Sequence, residues 1–295
     1  MNKKLKRIVA LAFSSIFIIG ALAGCSNNKS DNATNKRTVK IGYVNWADGI
    51  ALTNLASAVL QEKMGYDVDM KQGEAGMVFT SLSNSDMDLF LDGWLPTTHK
   101  DYMDKYKGKI EKVSIIFENA KLGLVVPKYM DINSIEDLNS IKDQLDGKII
   151  GIDPGAGLMK ATNIAIKEYG LDYELLEGSG ATMTAMLKKA EDKKEPIVVT
   201  GWQPHWKFAT WDLKFLDDPK GSFGDAEDIY SLSRVGFEED MPEVTQFFKN
   251  FKLDAQQLGS LMGDIQNSDK DPLEVSKEWI NNNEDLVNSW IPKSK

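Results

Sequence analysis

With 295 residues, 42% hydrophobic and 27% charged, the chain has an ordinary globular composition and the length for one large or two modest domains. Its formal net charge of −9 argues against nucleic acid and anionic lipid as partners. A single cysteine excludes an internal disulfide framework, and two histidines leave little from which to build a zinc site, so neither metal nor cofactor is expected.

At the N-terminus, Lys3, Lys4, Lys6 and Arg7 precede an apolar run from Ile8 to Leu22 that is broken only by Ser14, Ser15 and Gly20. A basic stretch followed by a short apolar core is the pattern of an export signal, too short and wrongly flanked for a permanent span. The run ends in Leu22-Ala23-Gly24-Cys25, which resembles a bacterial lipobox. Residues 1–24 are therefore expected to be a lipoprotein signal peptide, with Cys25 lipidated; the alternative is an ordinary secretory signal with an incidental cysteine. Residues 25–37, the lipidated cysteine and the polar SNNKSDNATNKR after it, read as a flexible tether. Such a lipid anchors a protein without spanning the membrane, which places it at the extracellular face of the cell membrane. Loss of the leader removes four positive charges and no negative ones, taking the formal net charge from −9 to −13.

Strand-like and helix-like stretches then alternate. Thr38 to Trp46 alternates as a strand, and Ile50, Leu52, Leu55, Ala56, Val59, Leu60 and Met64 recur at helical spacing. Short strands are predicted at Tyr66–Met70 and Met87–Leu91, with helices at Met77–Leu82 and Thr97–Tyr106. Lys121 to Pro127 (KLGLVVP) is nearly continuous in apolar residues, as expected of a buried parallel strand. A second series follows: a capped helix start at Ser134, a strand at Lys148–Ile152, helices at Gly157–Tyr169 and Ala181–Ala190, and a strand at Pro196–Thr200. From Met241 onward the pattern is helical, through Glu243–Phe251, Asp254–Ile265 and Pro272–Ile280, as expected of a tail packed on one of two α/β units.

Seven tryptophans are present, and three fall at predicted strand ends beside a glycine or proline: Trp46 in YVNWADG, Trp94 in FLDGWLP and Trp202 in VVTGWQP. Strand ends are where α/β folds place ligands. Any one ring alone reads as core packing, but three at equivalent positions point to a shared pocket. Indole walls suit a cation that cannot hydrogen-bond, a quaternary ammonium above all, because the ring quadrupole attracts it without a donor. Trp206, Trp211, Trp279 and Trp290 read as packing residues. In TGWQPHW, Trp202 is the expected wall, Pro204 fixes the turn, His205 is structural and Trp206 packs behind.

Gly151 to Leu158 (GIDPGAGL) reads as a strand, a tight turn and a helix start, which would aim the N–H groups of Gly157 and Leu158 at an anion. It is neither a P-loop nor a dinucleotide fingerprint. His99, five residues after Trp94, could donate to the same anion.

Together YVNWADGIALTN, DGWLPTTHKDYMDKYK, KLGLVVPKYM, GIDPGAGLM and VVTGWQPHW resemble, in order and across essentially the whole exported chain, the extracellular glycine betaine binding proteins of bacterial ABC importers, in the non-permuted form. The resemblance implies an α/β protein with the type II periplasmic-binding-protein fold, two lobes with a ligand cleft between them: residues 38–125 plus 222–295 as lobe I and 126–221 as lobe II. It implies a tryptophan prism at Trp46, Trp94 and Trp202 around the trimethylammonium group, with His99 and the amides of Gly157 and Leu158 on the carboxylate. It further implies a monomeric binding protein that delivers the osmoprotectant to an ABC permease subunit and is not an enzyme. Where several members have an acidic residue three positions after the first tryptophan, this chain has Gly49, with Asp48 one position earlier. Carnitine, proline betaine and choline stay open as guests. An exported hydrolase is the reading from another class, against which stands the lack of a G-x-S-x-G elbow and of a nucleophile partner for either histidine.

Overall fold

The computed structural model describes residues 37–293, so the expected signal peptide, the lipidated Cys25 and nearly all of the tether lie outside the described residues. The first segment runs β1 (Thr38–Tyr43), α1 (Ala47–Glu62), β2 (Asp67–Gln72), α2 (Ala75–Ser83), β3 (Leu89–Leu95), α3 (Lys100–Lys105) and the long β4 (Ile110–Pro127). After a 3-10 helix at Ile135–Leu145 come β5 (Lys148–Ile150), α4 (Gly157–Glu168), β6 (Glu174–Leu176), α5 (Gly180–Lys193), β7 (Val199–Gln203), α6 (Lys207–Thr210) and β8 (Leu213–Phe215). The chain then returns through β9 (Glu227–Arg234) and closes with α7 (Phe237–Asp240), α8 (Pro242–Asn250), α9 (Ala255–Gln266), α10 (Pro272–Asn282) and α11 (Glu284–Trp290).

Strand order is β2-β1-β3-β9-β4-β7-β5-β6, with β8 also on β4. The seam is β4. Its first part, Ile110 to Ala120, pairs antiparallel with β9, and its second, Lys121 to Pro127, pairs antiparallel with β7 and β8. Among the named strands, parallel pairing is confined to β2-β1-β3 on one side and β7-β5-β6 on the other, each with helices as connections. The sheet thus has two halves, each an α/β layer, that share one strand.

That arrangement corrects one expectation. From Gly123 to Pro127 KLGLVVP is buried as predicted, but the strand is antiparallel to both neighbours. A continuous apolar run reports burial on both faces of a strand, and strand direction leaves no mark on it. The expected strand at Pro196–Thr200 is displaced to Val199–Gln203, which puts Trp202 inside the ladder, opposite Leu122. The C-terminal helices pack on the first half, α9 and α10 against α1 and α8 against β4. Enclosed between these helices and the sheet, α1 buries polar residues with its apolar ones: Ser57 donates to the Thr53 carbonyl at 2.7 Å and Asn54 to that of Ile50 at 2.8 Å. The capped start at Ser134 is a capping box with Asp137, and it opens a 3-10 rather than an α-helix.

Candidate functional site

The three strand-end tryptophans converge at the seam. Trp46 is the N-cap of α1, three residues past the end of β1, and not part of the strand as the alternation suggested. Trp94 and Trp202 are each the penultimate residue of their strand, each two positions before a proline. All three are buried, at 6%, 3% and 4% exposure. With His99, Thr98, Ile152 and the first turn of α4 at Gly157 and Leu158 they line one cavity. All six residues singled out from the sequence for one ligand therefore face one cavity.

Each indole is held at its edge by a carboxylate. Trp46 Nε1–H donates to Asp153 Oδ1 at 2.7 Å, Trp94 to Asp92 Oδ1 at 2.7 Å and Trp202 to Asp48 Oδ1 at 3.0 Å. Pinned at its edge, each ring is held where it lines the cavity. Burial raises both carboxyls on the α1 and β3 side: Asp48 is pushed up to about 6, and Asp92 well above the usual carboxylate range, the second also by the charge of Asp48. A Cβ at Gly49 would stand 2.9 Å from Asp92 Oδ2 and 3.2 Å from the Val44 carbonyl. An acidic side chain there would have to displace Asp92.

His99 is the N-cap of α3 and 1% exposed. Its Nδ1 accepts the Trp94 main-chain N–H at 3.0 Å, so the neutral ring carries its proton on Nε2, which is buried and has no partner among the described residues. Burial lowers its pKa to about 3, and the imidazole stays neutral in any ordinary medium. The ring lies parallel to Trp46, 12° between planes and 5.9 Å between centroids.

The N-cap of α4, Ala156, supplies no side-chain cap, which leaves the N–H groups of Gly157 and Leu158 pointing out of the helix start. Opposite lies the loop from Pro96 to His99. Here the fold requires glycine: a Cβ on residue 157 would fall 2.5 Å from the Thr98 carbonyl oxygen. Gly157→Ala is expected to cost about 1–3 kcal/mol of stability as the helix start is forced off the loop, read by urea unfolding; an unchanged midpoint would contradict the contact. The loop is held from behind by Glu227 of β9, whose Oε1 accepts the N–H groups of Thr97 at 3.0 Å and Thr98 at 2.8 Å.

The stretch TGWQPHW differs from expectation in one respect. His205 is structural, as read: its Nδ1 accepts the Lys207 N–H at 3.1 Å, and its ring meets Trp202 edge to face at 4.7 Å. Lys207 also lies against Trp202, fully buried, with its ammonium 4.4 Å from the ring centroid. Burial lowers the Lys207 pKa to about 7, against the partial opposition of the Asp48 charge. Trp206 sits one ring further out, against His205 and Trp211. Among the described residues no group of three or more His, Cys, Asp and Glu could hold a metal ion, and no helix is long and apolar enough to cross a membrane.

Two α/β halves that share a strand, with an indole-walled cavity at their seam, define a type II periplasmic-binding-protein fold, two lobes with a ligand cleft between them. The chain belongs to the OpuAC family, the substrate binding domain of the ABC-type glycine betaine transport system, which it matches over residues 37–282. It is similar to the glycine betaine/carnitine transport binding protein GbuC of Listeria monocytogenes, 44% identical over 179 residues, a stretch that is 60% of this chain and 57% of that protein's length. Among solved structures it is similar to lactococcal OpuAC, closed on glycine betaine, with a TM-score of 0.82 and 34% identity over 87% of this chain and all of that one. A choline binding protein of an ABC transporter, in complex with choline, superposes with a TM-score of 0.80 at 30% identity over 86% of this chain and 91% of that one.

Proposed function

We propose that this protein captures glycine betaine, or a close carboxylated quaternary ammonium osmoprotectant, outside the cell and delivers it to the permease of an ABC importer. One observation carries the reading: three edge-pinned indoles, one neutral imidazole N–H and one uncapped helix start surround the same cavity. A trimethylammonium group offers no hydrogen bond, and indole faces attract it through their quadrupoles, each contact contributing about 2 kcal/mol or more once water is excluded. At the other end of such a ligand, the Nε2–H of His99 and the N–H groups of Gly157 and Leu158 receive the carboxylate. The names of the Listeria and lactococcal relatives support the same guest.

Residues 38–125 with 222–295 act as lobe I and supply Trp46, Trp94 and His99; residues 126–221 act as lobe II and supply Gly157, Leu158 and Trp202. Ligand completes a cage that neither lobe holds alone, so it favours the closed form, which the permease then distinguishes from the open one. The protein acts as a monomer and makes or breaks no covalent bond. Cys25 carries the lipid that holds it at the outer face of the membrane: Cys25→Ala should leave ligand binding unchanged and release the protein from the membrane fraction, and retention there would require another anchor.

Carnitine and proline betaine present the same two ends and remain as second guests, supported by the carnitine in the name of the Listeria relative. Choline has no carboxylate and would leave the His99 and α4 donors unmatched. Intrinsic fluorescence of the chain from Ser26 onward, titrated with glycine betaine, carnitine, choline and glycine, tests the reading. A saturable change with glycine betaine, weaker with choline and absent with glycine, is the expected result; no response to any of the four would reduce the three tryptophans to packing residues.

A further inference from the structure

Two of the three indole hydrogen bonds cross between the halves of the sheet, and they cross in opposite directions. Trp46, at the start of α1 on the β2-β1-β3 side, donates to Asp153, which follows β5 on the other side. Trp202, on β7 of that second side, donates back to Asp48 in the first turn of α1. The third bond, Trp94 to Asp92, stays within β3. The same gap is spanned by Tyr102 Oη, which donates to the Gly155 carbonyl at 3.1 Å, and by the ion pair of Lys160 with Asp101.

We propose that the reciprocal pair is a closing latch: each half supplies one cage indole and the carboxylate that grips the other half's indole, so that shutting the cleft and fixing the cage walls are one step. Asp153 is then a positioning residue. It does not line the cavity; it holds Trp46 there, and its second oxygen is buried with no partner among the described residues that would hold it elsewhere. When the halves part, both bonds are exchanged for water and two of the three walls are free to turn, so the latch governs how fast ligand leaves rather than how fast it arrives. An indole whose N–H faces a carboxylate also carries more negative charge on its ring, which strengthens its hold on a cation. The proposal rests on the reading of the cavity as an onium site.

The test is stopped-flow fluorescence of the full chain in detergent with glycine betaine as the probe. Asp153→Leu is expected to raise the dissociation rate about tenfold and to leave the association rate within about twofold of wild type. Asp153→Asn keeps an oxygen that accepts the indole N–H and should restore most of the wild-type dissociation rate, a rescue that loss of packing would not give. If the leucine variant does not fold, Trp46→Phe, which removes the N–H and keeps a ring, carries the same expected rise. An unchanged dissociation rate in Asp153→Leu, or an asparagine variant as fast as the leucine one, would overturn the latch. A wild-type chain that shows no response to glycine betaine would remove the onium reading and the latch with it; wild-type binding with unaltered variants would remove the latch alone.

Discussion

Trp202→Ala is expected to weaken glycine betaine binding by about 30-fold or more, the equivalent of one desolvated cation–π contact of about 2 kcal/mol. Trp202 lines the cavity while its edge is fixed by Asp48, and His205 and the Lys207 ammonium pack against its ring. Truncation to alanine removes the wall, strips Asp48 of the indole N–H and leaves the buried ammonium of Lys207 without the ring beneath it. Trp202→Phe keeps a smaller and weaker aromatic face and loses the edge bond, so it should fall between alanine and wild type. Calorimetric titration reads the affinities, and a thermal melt of the ligand-free variants separates a damaged cage from a damaged fold. Near-wild-type affinity in Trp202→Ala would remove the cage from the account.

The second large effect is expected at His99, and it separates ligands rather than weakening all of them. His99→Leu deletes the Nε2–H donor, which should cost glycine betaine roughly tenfold to a hundredfold, as expected for a hydrogen bond to a charged group, while choline changes by less than about threefold. An equal loss for both ligands would assign His99 to packing. The same variant has a signature in stability. Folded His99 protonates only near pH 3, against an ordinary value of 6.5, so the unfolded chain binds the extra proton as pH falls below 6.5. Its contribution is complete above that value and is lost toward pH 3, with about 2 kcal/mol gone between pH 7.5 and pH 5. His205, also held low by burial, acts in the same direction. Asp48 opposes them: raised to about 6, it gains relative stability as pH falls through 6 toward 4. Urea unfolding at pH 7.5 and pH 5 should show a smaller acid loss in His99→Leu than in the wild type. An identical loss in the two would mean that His99 is not the group that acid must protonate.

Much of the cavity was legible because its residues carry local signals. Bulky rings beside glycine or proline at strand ends mark Trp94 and Trp202, and a glycine turn running into a helix marks Gly157. The carboxylates that aim the rings were not legible. Asp48 lies two residues from Trp46 and Asp92 two from Trp94, yet Asp48 grips Trp202, 154 positions away, and Trp46 is held by Asp153, 107 positions away. No periodicity records a pairing of that kind. The strand β9 escaped for a related reason. Ser231 and Ser233 are buried on it, and in sequence such serines read as loop. Ser231 Oγ meets Ser114 Oγ of β4 at 2.8 Å, and Ser114 also donates to the Phe248 carbonyl, so the cost of burying the hydroxyl is offset by partners remote in the chain. Missing β9 also hid Glu227 and its grip on the loop of Thr98 and His99. Direction in the KLGLVVP strand was hidden because burial on both faces erases the alternation that would have set it apart.

The three indoles are expected to recognise positive charge and not merely a bulky methyl cluster. The most direct measurement is calorimetric titration of the wild-type protein with glycine betaine and with 3,3-dimethylbutanoate, which has the same shape and the same carboxylate but a neutral carbon in place of the quaternary nitrogen. Glycine betaine should bind at least about a hundredfold more tightly, as three partly additive cation–π contacts require. Equal affinities would mean that the cavity selects for size and apolar surface alone, and the cation cage would have to be abandoned.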